Sequence, residues 1–290
     1  MELRHLRYFV AVALEGNFTR AAEKLGIGQP PLSQQIKSLE RELGVELLHR
    51  TSQGAELTPA GAAFLTEAQR VLDAAQGAIR AAQRAARGET GRLRIGFTGS
   101  ATFNPQVPSL IRRFKLRYPS VELTLQEANS TVLLDALRDE QLDAVFFRPG
   151  RIPLAGIQMH RFADERMKIV LPATHPLASK KRLPLAALAD QAFVLVPGPA
   201  GVTLYDEIVR ACGEAGFSPQ LAQPAPQLAS VVNLVAAGLG VSIVPADIAQ
   251  VRVKGVRYLD VQGTQLSARL ALGWREGEPE AALANLTAML

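Results

Sequence analysis

The stretch QPPLSQQIKSLERELG, Gln29 to Gly44, decides how this chain is read. Two prolines stand at the head of what is otherwise a good helix. Proline is tolerated in a first helical turn, where its missing N–H would have no intrahelical partner, so Pro30 and Pro31 start the helix rather than break it. Leu32, Ile36, Leu39 and Leu43 then recur at four- and three-residue steps and form one apolar stripe. On the other face Ser33, Gln34, Lys37 and Arg41 project together. Hydroxyl, amide and cationic groups are the types that bond to base edges and phosphates. An ordinary amphipathic surface helix has the same pattern, so the neighbouring residues must choose between the two readings.

Upstream, MELRHLRYFVAVALEGNF places Leu6, Phe9, Val10 and Ala13 on the inner face of a first helix. The segment Asn17–Gly26 reads as a short second helix. Its Ala21 and Ala22 allow a close crossing, and Gly26 suits a left-handed cap. Gly26–Gln29 makes a tight turn into the Gln29 helix. Helix, glycine turn, helix is the order of a helix-turn-helix, whose second helix enters the major groove and would carry Pro30, Ser33 and Gln34 to base edges. Downstream, two short extended runs flank Ser52-Gln53-Gly54. They read as a hairpin, either a wing holding phosphate with the neighbouring Arg50 or a plain surface turn.

Thr58 is a good N-cap, Pro59 fits the first helical position, and helical register then continues to Arg87. Leu65, Leu72 and Ile79 fall every seventh residue along it, with Ala68, Ala75 and Ala82 between them, which is a coiled-coil seam. A small winged domain cannot bury such a seam alone, so a second chain is the natural partner. Residues 88–91 (GETG) form a hinge. Beyond it RLRIGFTGS, NPQVPSLIRRFKLRYPS, VELTLQEAN, TVLLDALRDEQ and LDAVFFRPG alternate strand and helix as βαβαβ, the pattern of a parallel sheet with crossover helices. A second region holds the strands of MKIVLPATHPLA and QAFVLVPG and the helix TLYDEIVRACGEAG. In LASVVNLVAAGLGVSIV a buried helix, a glycine turn and a buried strand follow one another. SARLALGWRE returns as a strand, and PEAALANLTAML is a terminal helix.

The 290 residues suffice for about two domains, and a formal charge of +5 with a pI near 9.6 is compatible with a polyanionic partner. A single cysteine, Cys212, rules out an intramolecular disulfide and a multi-cysteine metal site, and fits a reducing compartment. His5, His49, His160 and His175 have no metal-ligand spacing, there is no Gly-x-Ser-x-Gly elbow, and Gly238-Leu239-Gly240 lacks the context of a dinucleotide loop. Leu228–Val244 is shorter than the ~20 apolar residues of a spanning helix, and the N-terminal apolar run lacks a cleavage site. No catalytic residue, metal or cofactor is expected.

The block FTRAAEKLGIGQPPLSQQIKSLERELGVELLHRT…LTPAG closely resembles the winged helix-turn-helix of LysR-type transcriptional regulators. The resemblance is strong over residues 1–66 and looser through RIGFTGSATFNPQVP, ERMKIVLPATHPLA and LVAAGLGVSIVP. It implies an α+β multidomain protein. A winged helix-turn-helix (1–58), a dimerisation linker helix (59–87) and a hinge (88–91) would precede a periplasmic-binding-protein-like α/β effector domain (92–290). Subdomain I of that domain would take 92–161 and 267–290, and subdomain II 162–266. The resemblance further implies a cytoplasmic dimer of dimers on an interrupted palindromic operator, with an RNA polymerase contact switched by effector. Base contacts would fall on Gln29, Pro30, Ser33 and Gln34, with Pro31 beside them in the DNA-binding set, and phosphate contacts on Lys37, Arg50 and Thr51. Many relatives carry arginine at the position of Gln34, and glutamine favours adenine where arginine favours guanine.

The resemblance also implies that three loops line the effector cleft. They hold Gly99, Ser100, Ala101 and Thr102; Asn129, Ser130 and Thr131; and Pro197 to Leu204, including Thr203. The first two begin helices, so hydroxyls and N–H groups at two helix N-termini would favour a carboxylate. Ser100 and Ser130 read equally as simple N-caps, and Arg148 as a structural ion pair or as an anion partner. The pattern is nearest to members sensing carboxylates from aromatic breakdown, such as muconate-like diacids. Two rival readings are a solute-binding module, suggested by the C-terminal half alone, and a cytosolic enzyme acting on a carboxylate.

Overall fold

The computed structural model describes residues 1–51, 54–150, 153–198 and 203–290. Its chain forms two units, Met1–Arg84 and Ala85–Leu290. The turn residues Ser52 and Gln53, and the loop 199–202 within the Pro197–Leu204 stretch, lie outside the described residues.

In the first unit α1 (Leu3–Glu15), α2 (Phe18–Leu25) and α3 (Gln29–Leu43) are followed by β1 (Leu48–Thr51), β2 (Gly54–Leu57) and α4 (Pro59–Ala86). Each of the first three helices stops at a glycine in the left-handed region, Gly16, Gly26 and Gly44. The Asn17 side chain caps α2 by accepting from the N–H groups of Thr19 and Arg20. Leu6, Phe9 and Val12 of α1 meet Ala21 and Ala22 of α2 and Leu32, Ile36 and Leu39 of α3 in one core. Val12, rather than Val10 or Ala13, is the fully buried partner of Phe9. β1 and β2 pair antiparallel, Leu48 opposite Leu57 and Thr51 opposite Gly54. The hairpin docks on α1 through the Ala55 N–H, which donates to Gly16 O at 2.8 Å.

Thr58 caps α4 as its sequence requires: its Oγ1 accepts from the Gly61 N–H at 2.9 Å and donates to Glu46 O at 2.7 Å. A Cβ on Gly61 would stand 2.0 Å from the Leu47 carbonyl oxygen, so only glycine admits this approach. Leu65 and Leu72 lean on the unit's own core, whereas Ile79 is 48% exposed. The second half of the seam therefore lies beyond the unit's own core.

The second unit opens with β3 (Gly91–Phe97), so Gly91 is already strand rather than hinge. Next come α5 (Gln106–Arg117), β4 (Val121–Glu127), α6 (Ser130–Arg138), β5 (Ala144–Phe147) and β6 (Ile157–Arg161). The chain continues through β7 (Glu165–Pro172), β8 (Arg182–Pro184), β9 (Ala192–Leu195), α7 (Leu204–Glu214), β10 (Gln220–Pro224) and α8 (Leu228–Ala236). It ends with β11 (Ser242–Pro245), β12 (Val256–Gln262), β13 (Ser267–Ala268), β14 (Ala271–Arg275) and α9 (Ala281–Thr287).

One sheet has the order β4-β3-β5-β14-β6, with β3 parallel to β4 and β5, and β14 antiparallel to both β5 and β6. Alternation decides its faces. Phe146 and Leu272 point to α5 and α9, while Val145, Phe147 and Ala271 point to α6. The other sheet runs β11-β7-β12-β8, with β13 also on β7, and β9 and β10 form a parallel pair beside it. Met167, Ile169 and Leu171 of β7 face α7, and Val170 faces α8.

SARLALGWRE is not one strand. Ser267 and Ala268 pair with Arg166 and Glu165 of the second sheet, and the chain returns to the first sheet only at Ala271. The outgoing crossover lies between Arg161 and Glu165, and the two crossings are tied by the Phe162 N–H donating to Leu270 O at 3.0 Å. β6, β8, β10 and β12 lie outside the strands expected from the sequence, although VRYLDVQ, bounded by Gly255 and Gly263, has a strand-like composition in Val256, Tyr258 and Val261.

Candidate functional site

Two regions gather the residue types that recognise ligands. On α3, Gln29, Pro30, Pro31, Gln34 and Lys37 are exposed and Ser33 is half-buried, while Leu32, Ile36 and Leu39 are fully buried. The polar face is therefore held outward by the apolar one. The Arg50 guanidinium lies 4.6 Å above the Phe18 ring, a cation–π contact that fixes its stem beside the wing. Thr51 is exposed, its Oγ1 3.5 Å from Gly54 O. Lys37, Arg41, His49 and Arg50 share a surface groove with Glu40 and Glu46.

The second region is a cavity of about 190 Å³ between the two sheets of the second unit. Its first wall follows the carboxyl ends of three parallel strands: Thr98, Gly99 and Ser100 after β3, Ala128 to Thr131 after β4, and Arg148 after β5. This is where open α/β sheets bind ligands. The facing wall is mostly apolar: Leu195, Val196 and Pro197 after β9, Leu204, Tyr205 and Ile208 of α7, Leu228 and Val231 of α8, and Ile243 of β11. Gly99, Ser100, Asn129, Ser130, Thr131, Arg148, Pro197, Thr203 and Leu204 thus come together from distant parts of the chain.

Two expected members do not join them. Ala101 is fully buried in the core beneath the first sheet, because β3 leads into a single 3-10 turn, Ala101–Phe103, that rolls it inward. Thr102 faces a separate surface hollow, its Oγ1 donating to Gly99 O at 2.8 Å. The first loop consequently supplies no α-helical N-terminus; α5 begins only at Gln106.

The polar groups are already in use to different degrees. Ser100 makes no cap. Its Oγ accepts from Arg148 Nε at 2.9 Å, and its carbonyl accepts from the same guanidinium at 3.3 Å. Asn129, not Ser130, caps α6, its Oδ1 accepting from the Val132 N–H at 3.0 Å. Thr203 caps α7 together with Asp206. Ser242 Oγ donates to Val194 O at 2.7 Å. Ser130, Thr131 and Tyr205 have no side-chain hydrogen bond among the described residues.

Arg148 is 3% exposed and pairs with Glu165, 8% exposed, at 2.8 Å across the crossover. Glu165 also accepts the Asp247 N–H at 2.6 Å. Burial pushes the Arg148 guanidinium below its ordinary value and the Glu165 carboxyl above its own, each opposed by the partner's charge. Arg148 is the sole cation among the described lining residues, and its charge is answered from within. Against the first loop, a Cβ on Gly99 would come within 2.7 Å of Glu127 Oε1 and 3.2 Å of Gln227 Oε1, so these two side chains close over the glycine.

Sequence reasoning missed Tyr205, Ile208, Gln227, Leu228 and Val231. A signal was available for the first two: Leu204 and Ile208 are four apart, with Tyr205 beside them, and they open the apolar stripe that Ala211, Cys212 and Ala215 continue into the core.

Residues 3–62 match the model of bacterial regulatory helix-turn-helix proteins of the lysR family, and residues 86–290 match the LysR substrate binding domain. Over 278 residues the chain is 40% identical to the HTH-type transcriptional regulator BudR of Raoultella terrigena, covering 96% of each. It is similar to the crystal structure of CbnR, a LysR family transcriptional regulator, at 30% identity over 99% of both chains, with a TM-score of 0.86. The structure of full-length CbnR complexed with its target DNA matches 99% of this chain and 98% of that one, at 30% identity and a TM-score of 0.82.

Proposed function

The chain belongs to the LysR family of DNA-binding transcriptional regulators, and from that premise we propose that it is a cytoplasmic dimer of dimers switched by a small carboxylate. Its relatives are regulators rather than enzymes, and it carries their substrate-binding domain. Gln29, Pro30, Ser33 and Gln34 read bases in an interrupted palindrome with Pro31 beside them on the DNA face, while Lys37, Arg50 and Thr51 hold phosphates. The seam of Leu65, Leu72 and Ile79 pairs two chains and sets the spacing of their recognition helices.

The observation that carries the effector reading is the cavity's asymmetry. One wall offers the N-terminus of α6 with the uncommitted hydroxyls of Ser130 and Thr131, and the other is apolar. A cavity of about 190 Å³ is below the ~300–1,000 Å³ of drug-sized sites, which favours a compact acid. With Arg148 neutralised by Glu165, and the Glu127 carboxylate against Gly99, one negative charge is favoured over two. Effector draws the two walls together about the crossovers at 162–164 and 269–270. The altered subunit spacing relaxes the DNA bend and repositions the RNA polymerase contact, which requires that effector bind the active arrangement more tightly than the resting one.

The test is calorimetric titration with a matched series: short aliphatic monocarboxylates, their primary amides and the corresponding diacids. Binding of a monoacid, with roughly tenfold loss on Thr131→Val, is expected. An amide that binds as tightly as its acid, and shifts the operator footprint equally, would sink the carboxylate reading.

A further inference from the structure

We propose that His5, on the first helix and away from the DNA-reading face, is a positioning residue that fixes the rotation of the recognition helix through Gln35. His5 is 9% exposed. Its Nδ1 accepts the backbone N–H of Glu2 at 3.2 Å, so the proton of the neutral ring sits on Nε2. That Nε2–H lies 2.8 Å from Gln35 Oε1 and donates to it. The start of α1 therefore chooses the tautomer, and the tautomer makes His5 a donor to α3.

Gln35 stands immediately after Ser33 and Gln34. Among the described residues it is the only one from Gln29 to Lys37 whose side chain hydrogen-bonds to another element of the unit. The C-terminal half of α3 has its own anchor: Glu40 Oε1 accepts from the N–H groups of Leu47 and Leu48 at 2.9 and 3.1 Å. In the N-terminal half the remaining hold is the apolar contact of Leu32 and Ile36, which is non-directional and tolerates small rotations. A side-chain tip ~6 Å from a helix axis moves by about 1 Å for a rotation of about 10°. That is enough to spoil a bidentate contact to a base edge, whose angular tolerance is narrow. A contact to phosphate, made by a long flexible side chain, survives it. The His5–Gln35 bond thus governs selectivity between sequences more than total affinity for DNA.

The experiment uses the full chain and two duplexes: one that the wild-type protein enriches from a random-sequence pool, and a base-scrambled version of it. Affinities are measured at fixed salt for His5→Leu, Gln35→Leu, the double variant and His5→Gln. For each single leucine variant we expect the ratio of selected-site to scrambled affinity to fall by about three- to tenfold, with scrambled binding little changed. The double variant should lose no more than either single one, since both remove the same bond. His5→Gln, which keeps an amide donor at similar reach, should recover part of the ratio and guards against a folding defect in His5→Leu. An unchanged ratio in folded His5→Leu, an equal loss on both duplexes, or fully additive losses in the double variant would overturn the proposal.

Discussion

The recognition helix and the effector cavity are both assembled from hydroxyls, amides and a few charges, yet they stand ready for their ligands in opposite ways. On α3 the groups proposed to read bases are in water and mostly without protein partners, which costs nothing because water solvates them. In the cavity the buried polar side chains of Thr98, Ser100, Arg148 and Ser242 are already bonded, and among the described residues no buried side-chain nitrogen or oxygen lacks a partner. A buried polar group must be satisfied in the empty state or the fold loses ~1–3 kcal/mol for each orphan. An exposed site can therefore recognise with its whole face. A buried one can recognise only with what its own fold has left over, here the hydroxyls of Ser130, Thr131 and Tyr205 and the apolar wall.

The sharpest way to break this contrast is Arg148→Met. It leaves Glu165 charged and buried, and we expect a loss of about 3–5 kcal/mol in the unfolding of the second unit. Trp274, the single tryptophan of the chain, lies in β14 and reports that unit by fluorescence during denaturant titration. The variant Arg148→Met/Glu165→Leu should regain much of the loss. If Arg148→Met alone unfolds at the wild-type midpoint, the pair is not holding the crossover. A smaller effect is expected at the exposed site. Changing Ser33 and Gln34 together to alanine should weaken operator binding by ~1–3 kcal/mol per lost base contact. It should leave the Trp274 transition within ~0.5 kcal/mol, as surface changes do. An equal loss on random DNA would mean that these side chains hold phosphate only.

The smallest effect concerns Cys212, fully buried in the core of the second unit, where burial pushes the thiol up to about 11. At neutral pH it stays protonated, so a thiol reagent should label the native protein far more slowly than the denatured one. Because the folded value lies above the ordinary one, the thiol's contribution to stability is intact below the ordinary thiol range. It is lost as the pH climbs towards 11, which an alkaline denaturation series on Cys212→Ala would reveal as a flatter decline.

The same contrast explains what the sequence made legible. In the first unit the apolar stripe, the capping residues and the functional face all lie within one helical repeat or its neighbour, so periodicity placed Ser33, Gln34 and the Thr58 cap directly. The cavity depends on which strand ends are adjacent in a sheet, and nothing in the local pattern of GFTGSATF tells Ser100 from Ala101 as a lining residue. Ala101 turns inward because the loop closes a 3-10 turn where an α-helix was expected. SARLALGW divides between two sheets at Arg269 and Leu270 because its halves have different strand partners, and partners are not written in a strand's own alternation. Arg148 could be read either way until Glu165, on β7, was found against it.

The place of β14 in the first sheet has one more consequence, for the protein as it is made. It lies between β5 and β6, so that sheet is incomplete until Arg275 has been synthesised, whereas the first unit needs only the chain to Arg84. At typical bacterial and eukaryotic synthesis rates the interval is on the order of ten to forty seconds. Each nascent chain therefore passes through a stage in which the half that reads DNA has folded and the half that senses the cell has not.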